Sequence, residues 1–164
     1  MDTKKVLSYY QEQQCARQWQ AFLQAFSSEF AAKADPAELR GFMYELGWRM
    51  AQQFEVKDGS SLQALQACMN QVWSELNWGW VEIQEEADAL VLSHYSAPLS
   101  AAFGATALTW TPALLEGVYA QWFDALGMDK SLRLMQKAQA DEDGLQLVYE
   151  LKKFFDEAAH TNKR

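Results

Sequence analysis

Histidine and cysteine are scarce in this sequence, and many metal sites and active sites depend on these side chains. The 164 residues include two histidines and two cysteines, and neither histidine has a second His or Cys at ligand spacing. No phosphate-binding loop, dinucleotide-binding fingerprint or nucleophile elbow is present. Carboxylates cluster at 82–88 and 141–143, around the predicted hairpin turns at 86–88 and 141–144, where acidic residues are ordinarily solvated. We therefore predict a protein that is not an enzyme and that carries neither a metal ion nor another cofactor.

Basic charge and long apolar runs are also in short supply. Fourteen Lys and Arg face 22 Asp and Glu, for a net charge of -8, which disfavours nucleic acid and anionic membrane surfaces as partners. No stretch approaches the roughly 18 apolar residues of a membrane span, and the first residues lack the apolar core of a secretory signal. We predict no nucleic-acid partner, no membrane span and a cytoplasmic location. Cys15 and Cys68 are predicted to be reduced, partly buried thiols.

Aromatic residues, in contrast, are abundant. They make up 13% of a chain that is 49% hydrophobic and includes seven tryptophans, which is a globular composition. We predict a single domain over residues 1–164, with residues 1–15 projecting as an N-terminal extension and residues 154–164 forming a loose tail. For seven tryptophans together, an exposed or interface role for some of them is expected.

The apolar spacing predicts helices first and hairpins later. Helices are expected over about 5–33, 36–54, 62–77 and 110–126, strands over 80–84, 89–95, 131–136 and 145–151, and a loop over 96–109. This order predicts an α+β fold in which N-terminal helices precede two antiparallel hairpins that form a small sheet, with a helix between the hairpins. The predicted inward faces are Trp19, Phe22, Leu23, Phe26 and Phe30 in the first helix, and Leu39, Phe42, Met43, Leu46, Met50 and Phe54 in the second.

The segment from Thr109 to Trp122 is the most informative, because as a helix it is apolar on more than one face. Thr111 is a plausible N-cap and Pro112 fits the first helical position. Gly117 lies mid-helix, where glycine costs roughly 1 kcal/mol relative to alanine unless another backbone approaches closely. So much apolar surface favours contact with another chain, although the pattern leaves open a contact with the core of its own chain. The predicted interface residues are Trp110, Leu114, Gly117, Tyr119 and Trp122.

His94 shares its strand face with Leu90 and Leu92, the predicted inward set. Because no second ligand stands at a suitable spacing, we interpret His94 as a hydrogen-bonded core or edge residue rather than a metal or haem ligand. On the neighbouring strand, Trp80 shares a face with Glu82 and Gln84, and an aromatic ring beside such polar groups can bind the face of a sugar.

Three segments carry a family resemblance: Leu39–Gly47 with a spaced Arg, Glu and Gly, the Trp-Gly-Trp junction in Leu76–Ile83, and Trp110–Trp122. In this order and at these spacings they resemble the cellulose synthase operon protein D family, the D subunits of bacterial cellulose synthase complexes, over roughly residues 18–152. The Trp, Pro, Leu-Glu-Gly, Tyr and Trp of the last segment form the most specific part of the pattern.

The resemblance implies a non-catalytic accessory protein of cellulose export. Members of this family form a cylindrical homo-octamer of interlocked dimers, with passages proposed to carry glucan chains. The implied partners are further copies of the chain, components of the cellulose synthase complex, a proline-rich accessory protein and glucan. This sequence departs from the family at about Met1–Cys15 and after Lys153. The candidate contacts to glucan or a partner are Tyr9, Tyr10, Gln14 and Trp80.

A different class of function remains open from the residues alone. A unit of helices and hairpins with many aromatic residues and one inward histidine is also compatible with a small-ligand sensor or carrier. That hypothesis predicts a closed apolar pocket.

Overall fold

The computed structural model describes residues 2–138, 140 and 143–154. Its α-helices precede and interrupt the strands, as predicted. None of the helices within the described residues is long and apolar enough to cross a membrane. The helices are α1 (Thr3–Gln13), α2 (Arg17–Ala31), α3 (Pro36–Ala51), α4 (Leu62–Leu76), α5 (Leu99–Phe103) and α6 (Ala113–Ala125), with a 3-10 helix at Ala105–Thr109.

The four strands are β1 (Trp80–Glu85), β2 (Ala89–Tyr95), β3 (Leu132–Gln136) and β4 (Gln146–Lys153). They form one antiparallel sheet in the order β1-β2-β4-β3. In this register Leu92 of β2 stands opposite Ile83 of β1 on one side and Tyr149 of β4 on the other. The sheet joins the two predicted hairpins through β2 and β4, and α6 lies between the hairpins in the chain. The α+β prediction is therefore confirmed.

Local sequence signals set several helix ends. Asp35 accepts from the backbone amides of the first turn of α3, and the Asp35 amide donates to the Glu38 side chain, so the two residues form a capping box. Ser61 caps α4 in the same way, by accepting from a first-turn amide. After α6, Gly127 adopts a φ of 78°, the left-handed conformation expected of a residue that follows a helix.

The predicted helix over 5–33 is wrong, because the chain breaks into α1 and α2 around residues 14–16. The two helices are tied to different parts of the molecule. In α1, the Gln11 amide donates to the carbonyls of Ala97 and Gly144, whereas in α2 the Gln24 amide donates to Ala101. The extended backbone of Ala16 separates them.

The loop predicted over 96–109 is also wrong, since it contains α5 and the 3-10 helix. Thr111 does not cap α6, because its buried hydroxyl donates instead to the carbonyl oxygen of Ala107 at 2.9 Å. Pro112 stands just before the first helical residue, Ala113.

Of the predicted C-terminal tail the structure describes Phe154, while residues 155–164 and the predicted turn residues Asp141 and Glu142 lie outside the described residues.

The predicted inward faces of the first two helices need correction. On α3 the buried residues are Leu39, Met43, Gly47 and Ala51, while Phe42 and Leu46 are exposed. Gly47 faces inward because another helix approaches it closely. On α2, Ser27 is the buried residue, and the aromatic side chains of that helix point mainly to solvent. These are Trp19, Phe22 and Phe26.

Helices α3 and α6 cross with their backbones in contact at two glycines. A Cβ on Gly117 of α6 would overlap the carbonyl oxygen of Tyr44 in α3, and one on Gly47 of α3 would overlap the carbonyl oxygen of Leu114 in α6. The close approach expected at Gly117 is therefore confirmed, and the approaching backbone belongs to the same chain. This crossing is the centre of the core.

Replacing either glycine by alanine is expected to lower the free energy of unfolding by about 2 kcal/mol. A backbone carbonyl within a helix cannot move aside as a flexible side chain would, so the overlap outweighs the roughly 1 kcal/mol of helix propensity that alanine gains. Urea unfolding of Gly47→Ala and Gly117→Ala measures the loss.

Gly41→Ala is the matched control, because Gly41 lies on the same helix α3 and an added Cβ would meet nothing within 4 Å. This variant is expected to gain roughly 0.5–1 kcal/mol from helix propensity and reduced freedom of the unfolded chain. Equal effects at Gly41 and Gly47 would contradict the backbone contact described above.

Candidate interaction surfaces

The helix that was predicted to form an interface lies inside its own chain. All five predicted interface residues are buried within the single chain, so the protomer itself covers them. Their packing is specific: the Trp122 indole donates to the Phe54 carbonyl at 3.0 Å. The interface role expected for them is corrected to a role in the core, because α3 and the sheet cover the surface that was expected to be free. The five residues are Trp110, Leu114, Gly117, Tyr119 and Trp122.

An ion pair joins two of the segments that carry the family resemblance. The Arg40 guanidinium of α3 donates to Glu116 of α6 at 3.1 Å and to the side-chain oxygen of Gln136 in β3 at 3.1 Å. Glu116 also accepts from the Gln136 backbone amide. Burial raises the pKa of the Glu116 carboxyl, and Arg40 opposes that shift. Arg40 and Glu116 therefore hold two helices and an edge strand together.

His94 is a core histidine, as the sequence predicted. Its Nε2 lies 2.7 Å from the Trp78 carbonyl oxygen, which can only accept, so Nε2 carries the proton. Nδ1 then accepts from the Tyr119 hydroxyl at 2.5 Å. Burial lowers the pKa of His94 from 6.5 to about 4, although the hydrogen bond to Trp78 opposes that shift. The neutral ring ties the end of α4 and the strand β2 to α6.

No three His, Cys, Asp or Glu side chains come together to hold a metal ion within residues 2–138, 140 and 143–154. Cys15 and Cys68 are free and half-buried. Burial raises the pKa of the Cys15 thiol, which favours its protonated form.

Three of the four candidate contacts to glucan or a partner line one cleft of about 400 Å³. Tyr10 and Gln14 reach it from α1 and the residues that follow, and Trp80 reaches it from β1. The Trp80 ring stacks on Tyr95 with centroids 5.4 Å apart. Tyr9 does not line the cleft, but its exposed ring contacts Tyr10 edge-on. The remaining lining residues are Asn70, Trp73, Ser74, Asn77 and Gly79.

A larger cleft of about 860 Å³, which was not predicted, lies between the N-terminal helices and α5. Its lining is rich in glutamine, and the signal that could have found it is the run of glutamines between 11 and 24. Both clefts open to solvent. Neither cleft is the closed apolar pocket that a ligand carrier is expected to have.

An exposed row of apolar side chains crosses α2 and α3, and we call it the aromatic stripe. The rings follow one another from Trp19 to Phe22, from Phe22 to Phe26, and across the half-buried Phe30 to α3, with centroids 4.9–6.5 Å apart. These residues were predicted to face the core. That prediction is wrong, because periodicity identifies the apolar face of a helix but does not show what covers it. The aromatic stripe consists of Trp19, Phe22, Phe26, Phe42 and Leu46.

The sequence matches that of known proteins of one family. The family model for the D subunit of cellulose synthase matches residues 5–150. The chain belongs to this family. Proteins named cellulose synthase operon protein D from Komagataeibacter xylinus and Komagataeibacter sucrofermentans are 31% identical to it over 103 residues. Each match covers 62% of this chain and 66% of the relative, so the chain spans slightly less than two thirds of the length of these relatives. The family model covers all three segments of the resemblance.

Acid is expected to destabilise the protein through His94. Above pH 6.5 this residue is neutral in the folded and unfolded chains, and its titration does not affect stability. As the pH falls from 6.5 towards 4, the unfolded chain binds a proton that the folded chain excludes, which costs roughly 2 kcal/mol of unfolding free energy by about pH 5. Urea unfolding at neutral pH and at about pH 5 measures this loss.

His94→Gln separates this titration from that of the carboxylates. Its amide keeps a donor and an acceptor but does not titrate. The variant is therefore expected to be less stable at neutral pH and to lose less stability on acidification. The same pH-dependent loss in both proteins would show that His94 does not cause it.

Proposed function

We propose that the protein is a non-catalytic accessory subunit of bacterial cellulose synthesis that assembles into a ring-like homo-oligomer, an octamer in the form the family resemblance implies. In this proposal it works in the cytoplasm, organising synthase complexes and the export of glucan. Its partners are components of the cellulose synthase complex, including a proline-rich accessory protein. The observation that carries the proposal is the family match over residues 5–150, which spans the buried helix α6, its ion pair with α3 and the exposed surfaces.

Self-assembly is supported by the division of apolar residues between core and surface. The family segment Trp110–Trp122 is committed to the core, yet large apolar side chains remain exposed on the N-terminal helices. Over their described residues, α1 buries Gln11 and α2 buries Ser27. Helices that bury so little of themselves gain stability from a further surface that covers them.

Contact with glucan is supported by the cleft that contains Tyr10, Gln14 and Trp80. Aromatic rings can stack on the apolar face of a pyranose, and amides can bind its hydroxyl groups. Within the described residues, the side-chain oxygen of Gln14 is buried and has no hydrogen-bond partner, so it is available to accept from a hydroxyl. The Asn70 amide is already engaged with the backbone of Val81.

One purification tests the proposal. The tagged protein is isolated from a cellulose-producing bacterium, and three quantities are measured: the mass of the particle, the identity of co-purifying proteins, and the glucose released by acid hydrolysis. We expect a mass that is a multiple of the 18.7 kDa protomer, co-purifying cellulose synthase subunits, and bound glucose. In Trp80→Ala the glucose should be lost while the mass is unchanged.

Phe154→Ala is the matched control, because Phe154 is an exposed aromatic residue that lines neither the cleft with Trp80 nor the larger glutamine-rich cleft. It should retain the glucose. A particle with the mass of a monomer would contradict the proposed assembly. The absence of co-purifying synthase subunits would contradict the proposed role in cellulose synthesis. Equal glucose in Trp80→Ala and the control would remove the cleft as the contact.

A further inference from the structure

We propose that the aromatic stripe is the contact between two copies of this chain, which pack stripe against stripe about a two-fold axis. This inference rests on the proposed assembly and identifies the surface through which the first two copies associate. The stripe is continuous across α2 and α3, since the centroid of the Phe30 ring lies 5.4 Å from that of Phe26 and 4.9 Å from that of Phe42.

The exposed area is large enough for a stable contact. Trp19 and Phe22 are each 59% exposed, and Phe26, Phe42 and Leu46 are 40%, 45% and 42% exposed. With roughly 150–250 Å² per aromatic side chain, the stripe leaves about 500 Å² open, near the upper end of what a monomer displays. Two stripes pressed together would bury about 1,000 Å² before any flanking residue is counted, which reaches the lower bound for a specific interface.

The weak attachment of α2 to its own chain points to the same surface. Of its 15 residues, Ser27 is the buried one, and at its C-terminal end the half-buried Phe30 contacts Trp110. A hydrogen bond from the Gln24 side chain to the Ala101 carbonyl anchors the helix to α5, on the opposite side from Trp19 and Phe26. A 15-residue helix in water is marginal alone. Covering its aromatic side would supply the stabilisation that its own chain does not.

The charges around the stripe suit a second copy of the same chain. Glu29 and Lys33, at the end of α2, form an ion pair at 3.3 Å, and the exposed Glu45 and Arg49 of α3 flank Leu46. A border that carries both signs does not repel its own copy, although the whole chain has a net charge of -8. A strongly basic or acidic partner would instead call for a border of one sign.

The two-fold arrangement follows from the single stripe. When a patch meets the same patch on another copy, both are covered and the contact closes. If the stripe met a different surface, the contact would be head-to-tail, and unless the copies closed into a ring each end would still expose apolar residues or the surface meant to cover them. Larger assemblies would then form from these pairs through other surfaces.

Trp19→Glu and Phe22→Glu test the inference by sedimentation velocity and mass photometry across micromolar concentrations. Each variant buries an unpaired carboxylate at the contact, so we expect dissociation to be at least about 100-fold more favourable than in the unaltered chain. Phe154→Glu is the matched control, because Phe154 is 56% exposed but lies after β4, outside the stripe. Far-UV circular dichroism and the urea midpoint of dilute samples verify folding, and Phe22→Gln repeats the test without a charge.

Association of the unaltered chain and the control, together with its loss in the stripe variants, would support the inference. An assembly that persists in folded stripe variants would overturn it while leaving the proposed assembly intact. An unaltered chain that stays monomeric throughout would overturn both.

Discussion

The contact between the backbones of α3 and α6 is the feature from which the other tertiary contacts follow. It exists because Gly47 and Gly117 each lie against a carbonyl of the other helix, at Leu114 and Tyr44. Once the helices are this close, Arg40 reaches Glu116, which also binds the backbone of β3. On the other side of α6, Tyr119 meets His94 and joins the helix to β2.

This packing divides the aromatic residues into two populations. Trp73, Trp110 and Trp122 are buried, and their apolar area stabilises the protomer. Trp19 and Phe22 lie on α2, which meets the core through the half-buried Phe30 beside Trp110, and they remain exposed. The segment Trp110–Trp122 therefore stabilises the protomer, while in the proposed assembly α2 and the exposed side of α3 supply the contact surface. Glucan, in the proposed function, meets a third region, where α1 and β1 line the cleft with Tyr10 and Trp80.

Much of the fold could be predicted because the local signals are strong. The strand Ala89–Tyr95 follows from its alternation, and the start of α3 follows from the Asp35 and Glu38 capping box. The break between α1 and α2 could not be predicted, because no glycine or proline marks residues 14–16 and the direction of α1 depends on distant backbone carbonyls. The periodicity of α6 showed an unusual amount of apolar surface. Whether its own chain covered that surface depended on Gly47, which lies far from it in the sequence.

If α6 belongs to the core of the protomer and assembly completes α2, the two helices should respond differently to concentration. Hydrogen exchange of the backbone amides in dilute and concentrated samples measures that difference. We expect α6 to be equally protected at all concentrations, whereas α2 should exchange rapidly when dilute and become protected as the chains associate. Protection of α6 that rises with concentration, with α2 unchanged, would contradict this division and return the interface to the segment Trp110–Trp122.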